Sequence, residues 1–194
     1  MAKSAEHSSM KFSLTGPQSS GKSTLLNYLA RHNSETFDFV PEVTRLVKRD
    51  YNLPINEAGT DLTQWMIINQ HMHNALLKRD KPAIFDRCIY DGIVYTRWLY
   101  NRGVVHQEIH DYARYAFKFL KSRYDVIFYA SPEGILIEDD GERSTAAVFR
   151  EEITELFNEE LKGATNVVTL NGTVGERLYT INSTLEKLGL SIII

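Results

Sequence analysis

Residues 16–23 read GPQSSGKS and directly follow the apolar run KFSLT at 11–15. Glycine loses more backbone freedom on folding than any other residue, so two of them five positions apart at a strand end need a compensating purpose. The spacing G-x-x-x-x-G-K-[ST] supplies one. Its amides wrap a polyphosphate, its lysine reaches the β and γ phosphates, and its hydroxyl holds Mg²⁺. Gly16, Gly21, Lys22 and Ser23 fill the defining positions, and Ser19, Ser20 and Thr24 complete the nucleotide cradle. The helical pattern STLLNYLA begins at the lysine, where N-terminal amides and the helix dipole favour an anion. A chance glycine turn before a helix is the plain alternative, and it leaves the full eight-residue match unexplained.

Outward from this loop, short apolar runs alternate with longer amphipathic segments. KFSLT (11–15), TFDFV (36–40), AIF (83–85), VIFYA (126–130) and NVVTL (166–170) read as strands. Most are continuously apolar, as in a parallel sheet covered on both faces. Helical spacing links Leu62, Trp65, Met66, Met72 and Leu76 between Thr60 and Arg79, and again Ile109, Tyr112, Ala113, Ala116, Phe117 and Leu120. Thr173 with Glu176 forms a capping box before the stripe Val174, Leu178, Ile181, Leu185 and Leu188, and Gly189 stops it. The expected fold is therefore α/β, an open, mostly parallel five-stranded sheet with helices on both faces. Residues 1–9 read as a flexible polar leader, and 10–194 as a single domain with a small helical lid at about 136–152.

At 194 residues with 43% hydrophobic content, the chain can bury one sizeable core. A net charge of -3 gives no global basic field of the kind that advertises nucleic acid. The single cysteine, Cys88, has no internal partner, and no secretory leader or membrane-length apolar run is visible; a cytoplasmic protein is expected.

Several constellations carry further chemistry. FDR at 85–87 closes a strand. Because ligands in open α/β sheets lie beyond the carboxyl ends of the strands, Asp86 is expected to hold Mg²⁺ beside Ser23, directly or through water. Arg87 would clamp an acceptor phosphate or orient an acceptor hydroxyl. Alternatively, Asp86 caps the next helix and Arg87 is its surface partner. In VPEVTR (40–45), Pro41 stiffens the corner that presents Glu42, the leading candidate to take a proton from an acceptor hydroxyl, with Arg45 nearby. The structural alternative is a helix N-terminal glutamate paired with Arg45 at i,i+3. DDGERSTAAVFREE (139–152) reads as a glycine turn entering a helix, with Arg143 and Arg150 seven residues apart on nearly one face. They could swing over a triphosphate to stabilise charge on the transferring group, or form a solvated charged helix with neighbouring glutamates. Trp65, Gln70 and Tyr90 are candidates for an acceptor pocket, since a planar base wants aromatic faces and an amide. His71 and His73 diverge on a helix, and His106 and His110 have i,i+4 spacing without acidic or cysteine partners of the zinc type, so no structural metal is expected.

Together GPQSSGKSTLL, VPEVTR, the glutamine-bearing helix, FDR, YDVIFYASP and DDGER resemble the P-loop kinases related to the nicotinamide riboside kinase domain of bacterial NAD-metabolism regulators, in the AAA-type ATPase/kinase group. Deoxynucleoside and thymidylate kinases are more distant relatives. The resemblance covers Met10 to about Leu188. It implies a P-loop NTPase fold, ATP and Mg²⁺ as cofactors, Glu42 and Asp86 serving acceptor and metal, and a lid over ATP carrying Gly141, Arg143 and Arg150. One element departs. Where that family has D-T after the third strand, this chain has Asp86–Arg87, closer to the D-R of deoxynucleoside and thymidylate kinases. The acceptor is thereby widened to a nucleoside, a nucleotide or something larger.

The first expectation is an ATP-dependent kinase acting on a nucleoside-like or nucleotide-like small molecule. A second is a kinase for a hydroxymethylated base within DNA, with Lys118, Lys121, Arg123 and the Lys78–Lys81 cluster tracking phosphates. A third is a nucleotide-binding ATPase switch, although the guanine-reading N-K-x-D run is absent. Oligomeric state stays open, with a homodimer one option.

Overall fold

A computed structural model describes residues 10–135 and 147–194. Residues 1–9 and most of the expected lid, including Gly141 and Arg143, lie outside the described residues. Five parallel strands run β1 (Lys11–Thr15), β2 (Asp38–Val40), β3 (Ala83–Asp86), β4 (Val126–Ala130) and β5 (Val167–Leu170), in the spatial order β2-β3-β1-β4-β5. All four pairings are parallel. Seven α-helices appear among the described residues: α1 (Lys22–Asn33), α2 (Val43–Tyr51), α3 (Asp61–Leu76), α4 (Ile89–Asn101), α5 (Gln107–Leu120), α6 (Ala147–Leu161) and α7 (Val174–Glu186).

The two-residue period of the strands divides the core. Phe12, Leu14, Ile84, Val126 and Phe128 face α1 and α7, while Phe85, Ile127 and Tyr129 face the side of α4, α5 and α6. On that second side β1 presents Ser13 and Thr15 in place of apolar residues, and both are fully buried. Each central strand is covered twice, which explains its continuous apolar run. Helix ends follow their signals. The Thr173 hydroxyl and the Glu176 carboxylate complete the capping box of α7, and the Thr60 hydroxyl accepts from the Thr63 amide at the start of α3.

The expected stripe on α3 does not form the buried face. Thr63, Gln64, Ile67, Ile68, His71, Asn74 and Ala75 are buried, whereas Leu62, Trp65 and Leu76 are exposed. Pattern reading assigned apolar residues inward, but the inward face of α3 borders a polar cavity and is itself half polar.

Candidate functional site

The carboxyl ends of β1, β3 and β4 converge on the glycine loop. Gly16 has φ 136°, and a Cβ there would lie 2.7 Å from the Ala130 carbonyl oxygen, so the loop passes too close to β4 for any side chain. Gly21, at φ 81°, turns the chain into α1. The Lys22 ammonium donates to the carbonyl oxygens of Gly16 (2.8 Å) and Pro17 (2.5 Å) and to Ser20 Oγ (3.0 Å). Burial, followed by the nearby Arg87 charge, lowers it to about 7. A phosphate oxygen would replace one of those acceptors. Ser19 Oγ and Gln18 Nε2 are buried without a hydrogen-bond partner among the described residues. Orphaned polar atoms in such a loop fit a ligand that satisfies them.

Two arginines hold the loop from outside. Buried Arg177 on α7 donates to the carbonyls of Ser20 (2.7 Å), Ser131 (2.8 Å) and Gly172 (3.0 Å), joining the loop to the ends of β4 and β5. Arg150 on α6 donates to the carbonyls of Ser19 (3.4 Å) and Ile135 (2.9 Å). In a planar trans peptide the carbonyl and the following N–H point oppositely, so anchoring the Ser20 carbonyl fixes the direction of the Gly21 amide. Beside this lies a groove of about 810 Å³ walled by Ser23, Thr24, Ile135, Gly172, Thr173 and Arg177.

Arg87 organises the opposite side. It is a non-glycine residue at φ 69°, directly after β3. Its guanidinium donates to Glu42 Oε1 (2.8 Å), to Asp91 Oδ1 (2.8 Å) and, longer, to the Gly16 carbonyl (3.4 Å). Glu42 Oε2 accepts from Arg45 at 2.9 Å, and Asp91 Oδ2 accepts from the Thr15 hydroxyl (2.6 Å) and the Cys88 amide (2.9 Å). The left-handed backbone is thus held by several side-chain bonds, the pattern expected when strain is kept for function. Arg87 also lies 5.5 Å from the Tyr95 ring centroid, and the Tyr95 hydroxyl donates to Gln18 (3.2 Å).

Between these groups is a cavity of about 20 Å³, enough for one water, lined by Glu42, Gln64, His71, Arg87, Asp91 and Tyr95. His71 is 2% exposed, and burial lowers it to about 4, so the ring is neutral near pH 7. A wider groove of about 720 Å³ opens between α1 and α2, with Ser23, Glu42, Arg45, Lys48 and Asp86 along it. Glu42 lines both spaces. Asp86 has no ion-pair or hydrogen-bond partner among the described residues; burial first, then Glu42, raises it to about 6. An unpartnered carboxylate beside the Ser23 hydroxyl is a hard oxygen donor set that fits Mg²⁺.

The structure thus brings together Gly16, Ser19, Ser20, Gly21, Lys22, Ser23, Thr24, Glu42, Arg45, Asp86, Arg87 and Arg150 at one end of the sheet. The three proposed pocket residues lie elsewhere. Trp65 is 45% exposed, Gln70 donates to Asn74, and Tyr90 is buried in the core, edge-on to Phe117. Gln64, Ile67 and His71, at i, i+3 and i+7 of α3, line the cavity instead. Asp91 and Arg177 had weak signals: an acid one turn after Arg87, and a lone cation on an apolar helix face. The Lys78–Lys81 cluster and Arg123 immediately precede β3 and β4, so they stand at the end of the sheet away from the loop, about 15 Å off for strands of this length.

Fold and loop define an α/β protein of the P-loop class. The family model described as AAA domain matches residues 11–177, and the chain belongs to that family. Similar solved structures include the NadR protein in complex with NR (TM-score 0.74, 20% identity, 97% of this chain and 54% of that one). The NadR protein in complex with NAD and AMP-PNP gives a TM-score of 0.71 at 18% identity, over 97% of this chain and 52% of that one. A deoxyadenosine kinase from M. mycoides with products dCMP and a flexible dCDP gives 0.67 at 14% identity, over 92% of this chain and all of that one. The chain spans about half the length of the NadR structures it matches. No curated protein matches in sequence. The fold is that of the P-loop kinases, and among the described residues no helix is long and apolar enough to cross a membrane.

Proposed function

We propose that the chain is an ATP-dependent kinase that transfers the γ-phosphoryl group to a hydroxyl or phosphate of a nucleoside-like or nucleotide-like small molecule. One observation carries this reading: the Glu42–Arg87–Asp91 cluster bonds to the same loop whose amides and Lys22 would hold ATP, and Glu42 also lines an open groove of about 720 Å³ with Ser23 and Asp86. Lys22 places a charge on the transferring phosphate, and Arg150, with Arg143 from the lid, adds to the charge there. Ser23 and Asp86 would hold Mg²⁺, which supplies charge neutralisation on the phosphates. Glu42 faces both the cavity and the open groove, so it takes the acceptor proton while Arg45 and Arg87 fix its direction. Arg87 clamps the acceptor, and Gln64 and His71 wall the one-water cavity beside it. Trp65, Gln70 and Tyr90 are left without a role in acceptor binding.

The NadR structures in complex with NR and with NAD and AMP-PNP, and the deoxyadenosine kinase with product dCMP, support a nucleoside-like acceptor and an ATP-like donor. Acceptors within DNA lose their expected phosphate track, because those basic residues lie at the other end of the sheet. The test is incubation with Mg²⁺, ATP and a panel of nucleosides and nucleoside monophosphates, with ADP release and product mass recorded. An acceptor that raises ADP release should do so at least 100-fold less with Glu42→Gln. Slow ATP turnover that no acceptor accelerates would sink the kinase and favour the ATPase switch.

A further inference from the structure

On the sheet face covered by α4, α5 and α6, α5 and the turn after it expose a stripe that begins acidic, becomes aromatic and ends basic. Glu108 and Asp111 open it, Tyr115 (63% exposed) and Phe119 (58% exposed) occupy its middle, and Lys118, Lys121 and Arg123 close it. The two aromatic rings lie against each other with centroids 4.8 Å apart. A groove of about 400 Å³ runs beside them, walled by Met72, Leu76, Tyr112, Ala116, Phe119 and Leu120. Leu76, in that wall, is exposed. Soluble monomers rarely expose contiguous apolar patches of this kind without a partner.

The order of charges identifies the occupant. We propose that this face binds a second copy of the same chain, with α5 packed antiparallel to α5 about a two-fold axis near Tyr115. An isologous contact must be self-complementary: where residue i meets j, j meets i. With a rise of about 1.5 Å per residue, Asp111 lies about 6 Å before Tyr115 and Lys118 about 4.5 Å after it. A two-fold axis therefore brings Asp111 opposite the partner's Lys118 on the same side of the seam. Tyr115 meets the partner's Tyr115, and each Phe119 enters the other copy's groove. A parallel arrangement would set acid against acid and base against base. Because the groove lies toward the end of α3 that precedes β3, both phosphate loops stay open to solvent.

Sedimentation equilibrium at low and moderate salt tests this. The wild type should give twice the 22.3 kDa chain mass at micromolar concentration. Phe119→Glu should give the single mass with unchanged circular dichroism and a melting temperature that no longer depends on protein concentration. Asp111→Lys and Lys118→Asp should each weaken the dimer at least tenfold, and the double variant Asp111→Lys/Lys118→Asp should restore it. Rescue by the double variant is what a merely disruptive surface change would not produce. A wild type that stays monomeric at about 100 µM, a dimer insensitive to Phe119→Glu, or a double variant as weak as the singles would overturn the proposal.

Discussion

His71 is a buried imidazole with Asp91, Glu42 and Arg87 around it and no hydrogen-bond partner among the described residues. Its folded pKa of about 4 lies below its ordinary 6.5. Between those values the unfolded chain binds a proton that the folded chain does not, so the contribution is complete above pH 6.5 and is lost as pH falls toward 4. From pH 7 to pH 5 that linkage amounts to about 2 kcal/mol. Urea unfolding should show the wild type losing about 2 kcal/mol more than His71→Gln over that interval. Equal losses would mean that the ring is protonated or relaxed in the fold. Sequence pattern alone passed over His71 because it looks for ligand spacing, whereas what distinguishes this residue is a three-dimensional enclosure. The same applies to Asp91. Its value lies in bonding Arg87, Thr15 and Cys88 at once, from three segments that only folding brings together.

At the scale of elements, the strands were legible because their apolar runs are continuous and their ends carry Gly, Pro or Asp. The loop at 16–23 was legible because its chemistry is local. The α3 face was not, since a helix beside a polar cavity buries Gln64 and His71 and leaves Trp65 outside, the reverse of what amphipathicity suggests. Arg177 joins three elements and bears on this scale. Arg177→Met keeps the apolar stem but leaves the Ser20, Ser131 and Gly172 carbonyls without their shared donor, whereas Arg177→Lys retains a charge that can serve one or two. If Arg177 presets the loop, the methionine variant should raise KM for ATP at least tenfold while kcat falls less. The lysine variant should recover part of that loss at equal thermal stability. A drop in melting temperature with KM unchanged would assign Arg177 to packing alone.

Across the whole molecule, the two large cores lie on opposite faces of the sheet, and the segments of the site leave that sheet at the carboxyl ends of its strands. A nucleotide held there touches the loop after β1 and the ends of β4 and β5, while α7 ties those same segments together through Arg177. Binding should therefore stabilise the molecule against global unfolding, and the gain follows mass action. At a nucleotide concentration 100 times Kd it is about 2.7 kcal/mol. For a chain of this size each kcal/mol moves Tm by about 2–4 °C, so saturating Mg²⁺ and ATP should raise it by about 5–11 °C. Lys22→Ala should abolish the shift with little change in the ligand-free Tm, because burial of its ammonium offsets the three hydrogen bonds it makes. Phe119→Glu should keep it, since the seam between copies is remote from the phosphate loop. A shift that survives Lys22→Ala would place nucleotide binding somewhere other than the loop at 16–23.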